Sequence, residues 1–186
     1  MRRKSTKLRT MNLVAVIFFM IAVVFFLVNE KYPLLRAQQG DGTFRVVSVH
    51  DGDTVSLLIN NKQQKVRLIG IDAPEIGQKL WGDEAKRHLE SLIGSSSQEV
   101  KIEYDVEKND KHGRVLAYLW TPENVLINLM MIKSGYAVLY SVPPNVKYAD
   151  EFRKAQEEAR NLKLGIWSEN GLRKMPRDYR KENPRL

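Results

Sequence analysis

The chain has 186 residues, with 30 Lys and Arg against 22 Asp and Glu, a formal net charge of +8, and no cysteine. That length suits one domain with extensions. Without a thiol, a disulfide framework, a thiolate metal site and a cysteine nucleophile are excluded, so catalysis has to rest on carboxylates, basic groups or histidine.

The basic N-region, residues 1–10, carries Arg2, Arg3, Lys4, Lys7 and Arg9 and is followed by an apolar run of 16 residues, Leu13 to Val28. Crossing a bilayer takes roughly 17–25 residues of helix, so a segment over 11–28 lies between a short spanning helix and a long signal-peptide core. No small-x-small cleavage site follows, since Leu35 stands two positions before Ala37. The expectation is an uncleaved signal anchor rather than a cleaved signal of a secreted protein. The positive-inside rule then leaves the N-terminus in the cytoplasm and the rest of the chain extracellular, a single-pass protein of the cell membrane. Residues 1–36 hold seven Lys and Arg and one acid, leaving 23 basic against 21 acidic residues over 37–186. The basicity therefore reflects topology, and a polyanion would have to be bound by placed cations, with or without a metal.

Residues 29–43, with Pro33 and glycines near the end, have no periodicity and read as a tether. From Phe44 the pattern alternates with period two. "FRVVSVHDGDTVSLLINNKQQKVRLIGID" divides at Asp51-Gly52 and Asn60-Asn61 into an antiparallel meander of three strands. "LWGDEAKRHLESLIG" places Trp81, Ala85, Leu89, Leu92 and Ile93 on one helical face. "EVKIEYD" and "RVLAYLWT" read as two further strands, "NVLINLMMIKSG" as a second helix, and "YADEFRKAQEEARNLKLG" as a third with Phe152, Ala155, Ala159 and Leu162 inward. The order β-β-β-α-β-β-α-α fits an α+β fold with a mainly β core, a five-stranded oligonucleotide-binding-type barrel with three helices, among several α+β alternatives. The domain spans 44–170, and the tail over 171–186, with Pro176, Pro184 and mixed charges, reads as a mobile end.

Within this frame Asp53 and Asp72 come to one rim of the sheet. Two carboxylates held within a few ångströms repel unless a cation lies between them. Oxygen donors with a main-chain carbonyl and waters suit Ca²⁺, and Mg²⁺ on the same chemistry. Pro74 biases Ala73 toward an extended conformation and helps aim the Ala73 carbonyl and the Glu75 side chain. A carboxylate beside a metal-bound water can take its proton. Arg67, five residues before Asp72 on the same strand, faces away from it under simple alternation unless the strand's end re-aims one of them. Arg114 enters from another side, and two guanidiniums would orient a phosphate. Each piece alone has a plainer reading: DGD as a hairpin turn, the arginines as strand-edge residues, Tyr140 as core, and His50, His88 and His112 as scattered surface residues.

Their joint order resembles the staphylococcal nuclease, or thermonuclease, family. "VHDGDTV", "VRLIGIDAPE", "WGDEA", "DKHGRVLAYLW", "LINLMMIKSGYA" and "LGIW" occur in the family's order from about Phe44 to Trp167. The resemblance implies an oligonucleotide-binding barrel with three helices and a Ca²⁺-dependent endonuclease that cuts DNA and RNA, single-stranded or locally opened, to leave 3′-phosphate ends. It implies Asp53 and Asp72 as calcium carboxylates, Ala73 as the carbonyl ligand, Glu75 as general base, and Arg67 and Arg114 as phosphate-binding arginines. Tyr140 and Lys111 are the candidates for substrate contact, in a monomer. The best-known member has threonine where Ala73 stands, and two tyrosines at the substrate base where this chain has Tyr140 and Val142. The rival readings are a binding module on the same fold without catalysis, and a tethered scaffold whose acids hold Ca²⁺ for stability.

Overall fold

A computed structural model describes residues 42–94 and 98–184, all within the compact unit Gln38–Leu186. The signal anchor expected at 11–28 and nearly all of the tether lie outside these residues. Among the described residues no helix is long and apolar enough to cross a membrane.

The meander forms as its alternation requires. Strands β1 (Phe44–Val49), β2 (Thr54–Ile59) and β3 (Lys62–Leu68) pair antiparallel in sequence order. Asn60 and Asn61 make the β2–β3 turn with φ of 51° and 59°, the left-handed pair a two-residue hairpin needs and asparagine tolerates. That turn puts Ile59 opposite Lys62 and Thr54 opposite Arg67.

The third expected strand does not continue to Asp72. Gly70 takes φ +80° and the chain leaves the barrel as a short strand, β4 (Gly70–Asp72). β4 pairs antiparallel with β7 (Val138–Tyr140) in a separate two-stranded sheet. Helix α1 (Trp81–Gly94) buries Ala85, Leu89 and Ile93. Strands β5 (Glu99–Glu103) and β6 (Val115–Trp120) form an antiparallel pair. Parallel pairing of β6 with β3 and antiparallel pairing of β5 with β1 close a barrel in the order β1-β2-β3-β6-β5.

Helices α2 (Ile127–Lys133) and α3 (Ala149–Asn161) follow, then a 3-10 turn (Gly165–Trp167) and a helix α4 (Pro176–Glu182). Among the described residues the architecture is α+β with a closed five-stranded barrel and four helices, one more than the three expected to accompany the barrel. Its core joins Val55, Leu57, Val66, Leu68, Ile102 and Leu119 of the barrel to Ile127, Met131 and Ile132 of α2 and Phe152 of α3. Burying each such side chain contributes about 1.5–3 kcal/mol. Asn128 is fully buried in this interface and satisfied, accepting from Leu119 N–H at 2.9 Å and donating to the Ile69 carbonyl at 2.9 Å.

Three expectations change. The tail is not a loose end: Pro176 starts α4 at a position where its missing N–H costs no bond. Leu162 is 68% exposed rather than inward, because α3 ends at Asn161 and Lys163 turns left-handed with φ 54°. His50 and His88 are partly buried, and His112 is exposed as expected. His50 Nε2 lies 2.7 Å from Ser56 Oγ, and His88 stacks on Tyr136 with ring centroids 4.4 Å apart.

Candidate active site

Asp53 stands at the entry to β2 and Asp72 at the end of β4, and the barrel brings the two loops together. Gly52 is required there by packing: a Cβ on it would lie 2.6 Å from Ala73 Cβ and 2.7 Å from Ala85 Cβ. The DGD turn therefore sits directly against the Ala73 segment and α1. Asp53 Oδ2 accepts a hydrogen bond from the Ala73 N–H at 2.9 Å, and Oδ1 accepts from the Thr54 hydroxyl at 3.1 Å.

Arg67 does reach the acids. Its Nη2 lies 3.1 Å from Asp53 Oδ2 and 3.4 Å from Asp72 Oδ1, because the turn at Gly70 cancels the alternation that would have sent Asp72 to the other face. Nη1 of the same guanidinium donates to the Leu68 carbonyl at 3.0 Å, which holds the head in place.

Asp53 is 6% exposed and Asp72 1%, so both charges are largely removed from water. Burial pushes the Asp53 carboxyl up to about 6, against the pull of Arg67 and with the push of the neighbouring Asp51 charge. Burial also raises Asp72, against its bonds to Arg180 and with repulsion from Asp53.

A cavity of about 790 Å³ opens in front of these groups. Asp51, Asp53, Arg67 and Glu75 line it, as do Lys111, Arg114, Tyr140 and Val142. Asp72 and Ala73 lie behind the wall. Arg114 is engaged by Asp110, with Nε and Nη2 each 2.7 Å from Asp110 Oδ2. Burial would lift the Asp110 carboxyl, but bonds from Arg114 and from the His112 N–H outweigh it and hold it below its usual range. Arg114 thus lines the cavity with its side chain held by Asp110.

Tyr140 is 39% exposed and Val142 50%, so neither belongs to the core, and Lys111 is exposed. Buried Asn145 fixes the 105–113 loop over the cavity, accepting from Glu107 N–H at 2.8 Å and donating to its carbonyl at 2.9 Å.

Arg180 of α4 was not anticipated. It lines the cavity and donates to both oxygens of Asp72 and to Glu75 Oε1. The helix itself had a local signal, proline at its start, Asp178 in the first turn and Arg180 and Lys181 in the last. Nothing local marks which acids Arg180 meets.

The donor set suits a hard divalent cation. A carboxylate offers about four acceptor directions. Asp53 is contacted by Thr54, Ala73 and Arg67 and has the Asp51 carboxylate beside it, and Asp72 takes one contact from Arg67 and two from Arg180. Among the described residues no group of three or more His, Cys, Asp or Glu forms a metal cage, so an ion held by Asp53 and Asp72 would complete its shell with main-chain carbonyl and water oxygens.

A family model described as "Staphylococcal nuclease homologue" matches residues 65–169. The thermonuclease of Staphylococcus hyicus is 34% identical over 171 residues, covering 86% of this chain and 97% of that protein. The thermonuclease of Staphylococcus intermedius is 33% identical, over 79% of this chain and 90% of that protein. The endonuclease YncB of Bacillus subtilis (strain 168) is 34% identical, over 65% of this chain and 59% of that protein.

Proposed function

The chain belongs to the staphylococcal nuclease family, and from that membership we propose that it is a Ca²⁺-dependent endonuclease that hydrolyses phosphodiester bonds of DNA and RNA. The observation that carries the reading is the paired buried carboxylates, Asp53 and Asp72, joined by Arg67, with Asp53, Arg67 and Glu75 lining an open cavity. Membership makes nuclease chemistry the expected class.

In this reading Asp53, Asp72 and the Ala73 carbonyl would hold the ion, which would supply positive charge against the buried acids and the phosphate. Arg114, held by Asp110, and Arg67 bind the phosphate oxygens. Glu75 takes a proton from the attacking water as its oxygen bonds to phosphorus. The bond from phosphorus to the 5′-oxygen breaks, the 5′-oxygen gains a proton, and the other product keeps a 3′-phosphate. Tyr140 and Lys111 contact the substrate, a ring face for a base and a cation for the backbone. A single strand or a locally opened duplex fits the stacking component best.

The basic N-region and the apolar run support action outside the cytoplasmic membrane, either anchored there or secreted after cleavage, by a monomer. The test is cleavage of circular single-stranded and duplex DNA and of RNA, with Ca²⁺ or with chelator, by wild type and by Glu75→Gln. Cleavage that needs Ca²⁺ and falls at least about 10²-fold in the variant, the usual worth of a positioned base, supports the proposal. A folded, Ca²⁺-binding chain that cuts none of these substrates would be a binding module instead.

A further inference from the structure

Helix α4 delivers a third guanidinium to the acids. Arg180 Nη1 donates to Asp72 Oδ1 at 2.8 Å and to Glu75 Oε1 at 2.9 Å, while Nη2 donates to Asp72 Oδ2 at 2.8 Å. The two-pronged grip on Asp72 is the strong, directional form of an arginine–carboxylate pair. Its extension to Glu75 ties a carboxylate in the cavity wall to one buried behind it.

The grip is supported from both sides. Gln78 accepts from the Glu75 N–H at 3.1 Å and donates to the Lys174 carbonyl at 2.8 Å, which joins the segment carrying Glu75 to the residues before α4. Pro176 is buried, and Tyr179 lies so close over Gly77 that a Cβ there would stand 2.5 Å from the Tyr179 hydroxyl. A surface arginine that met these acids by chance would have no such framework behind it. Asp72 is 1% exposed while Arg180 lines the cavity, so this guanidinium is part of what covers the carboxylate.

The placement has an electrostatic consequence. A divalent cation shared by Asp53 and Asp72 would sit near the fixed positive charge of Arg180, and like charges at that range in a partly buried site repel strongly. Arg180 also occupies three acceptor directions on the two carboxylates, Asp72 and Glu75, that would otherwise be available.

We propose that Arg180 is a positioning residue of the nuclease site, tying the Glu75 carboxylate to Asp72 and lowering the affinity of the Asp53–Asp72 pair for a divalent cation. The inference rests on the site assigned under the proposed function. It adds the C-terminal helix to the working parts of the enzyme.

The test compares the full chain, purified in detergent, as wild type, Arg180→Gln and Arg180→Lys. Ca²⁺ binding is measured by titration calorimetry without nucleic acid, and kcat is measured at saturating Ca²⁺. Removing the charge in Arg180→Gln tightens Ca²⁺ binding about tenfold, and Arg180→Lys, which keeps the charge, stays within about threefold of wild type. Both variants lose at least about tenfold in kcat, because neither keeps the fork that aims Glu75. Ca²⁺ affinity in Arg180→Gln equal to or weaker than wild type overturns the inference, whatever the kcat. So does a drop in melting temperature with affinity and kcat unchanged, the mark of a purely structural contact. If neither wild type nor Arg180→Gln binds Ca²⁺, the metal site itself fails and this inference with it, an outcome distinct from two chains that bind Ca²⁺ equally.

Discussion

The ring of Phe152 fills the space where a side chain on residue 70 would begin, so that a Cβ on Gly70 would stand 2.5 Å from Phe152 Cε2. The same residue has φ +80°, a conformation that costs any L side chain energy. These two constraints hold the bend between β3 and β4, and the bend sets Asp72 beside Arg67.

Gly70→Ala should therefore destabilise the protein by about 2–4 kcal/mol, from backbone strain and overpacking together. Urea unfolding measures this directly. A loss under about 1 kcal/mol would show that the Phe152 ring moves aside cheaply.

Asp53 offers a test in pH. Its carboxyl titrates near 6 in the folded protein, against 3.8 ordinarily, chiefly because it is buried. Between these values the folded chain binds the proton more tightly than the unfolded chain, so stability rises as pH falls through that window. The ionised group is a burden fully present above pH 6 and gone below about 4. Without divalent cations, Asp53→Asn should raise stability by on the order of 3 kcal/mol at pH 7.5, with the gain shrinking toward zero below pH 4. Unfolding midpoints across that range check it, and a gain independent of pH would assign the effect to packing.

Calcium should reverse the sign of that burden. An ion that binds the folded state at a hundred times its dissociation constant adds about 2.7 kcal/mol, or roughly 5–10 °C in melting temperature for a domain of this size. The shift should appear in wild type and disappear in Asp53→Asn. Equal shifts in both chains would place the ion elsewhere.

Tyr140 and Val142 lie in the cavity wall and both are well exposed. A second ring beside Tyr140 would offer a base another stacking face, worth about 1–3 kcal/mol per base. Val142→Tyr should then bind a single-stranded oligonucleotide in chelator about tenfold more tightly, with Val142→Ala near wild type. Fluorescence anisotropy reads the difference, and unchanged binding would mean that substrate bases pass clear of this part of the wall.

Much of the barrel was legible along the chain because strand alternation, hairpin asparagines and helical stripes are local properties. Ala85, Leu89 and Ile93 are buried as their spacing requires, and Asn60-Asn61 turns the hairpin its residue types favour. The break at Gly70 was harder to read, since "RLIGID" alternates well enough to pass for one strand. The chain bends at Gly70 with φ +80°, and the ring that leaves no room for a side chain there comes from α3, which no window around residue 70 contains.

The acids of the site, Asp53, Asp72 and Glu75, with Arg67 and Arg114, stand out by residue type and order. The sequence alone thus determined the family pattern, the barrel strands, three of the helices and these five charged groups. Which charges meet was decided by tertiary structure. Arg67 lies with Asp72 through a bend, Arg114 is held by Asp110, and Arg180 grips Asp72 and Glu75 across 108 and 105 residues of chain. Local pattern records which face a residue takes on its own element. An ion pair across such separations depends on how whole elements dock, and here the burial of Pro176 and the approach of Tyr179 to Gly77 bring Arg180 to its acids.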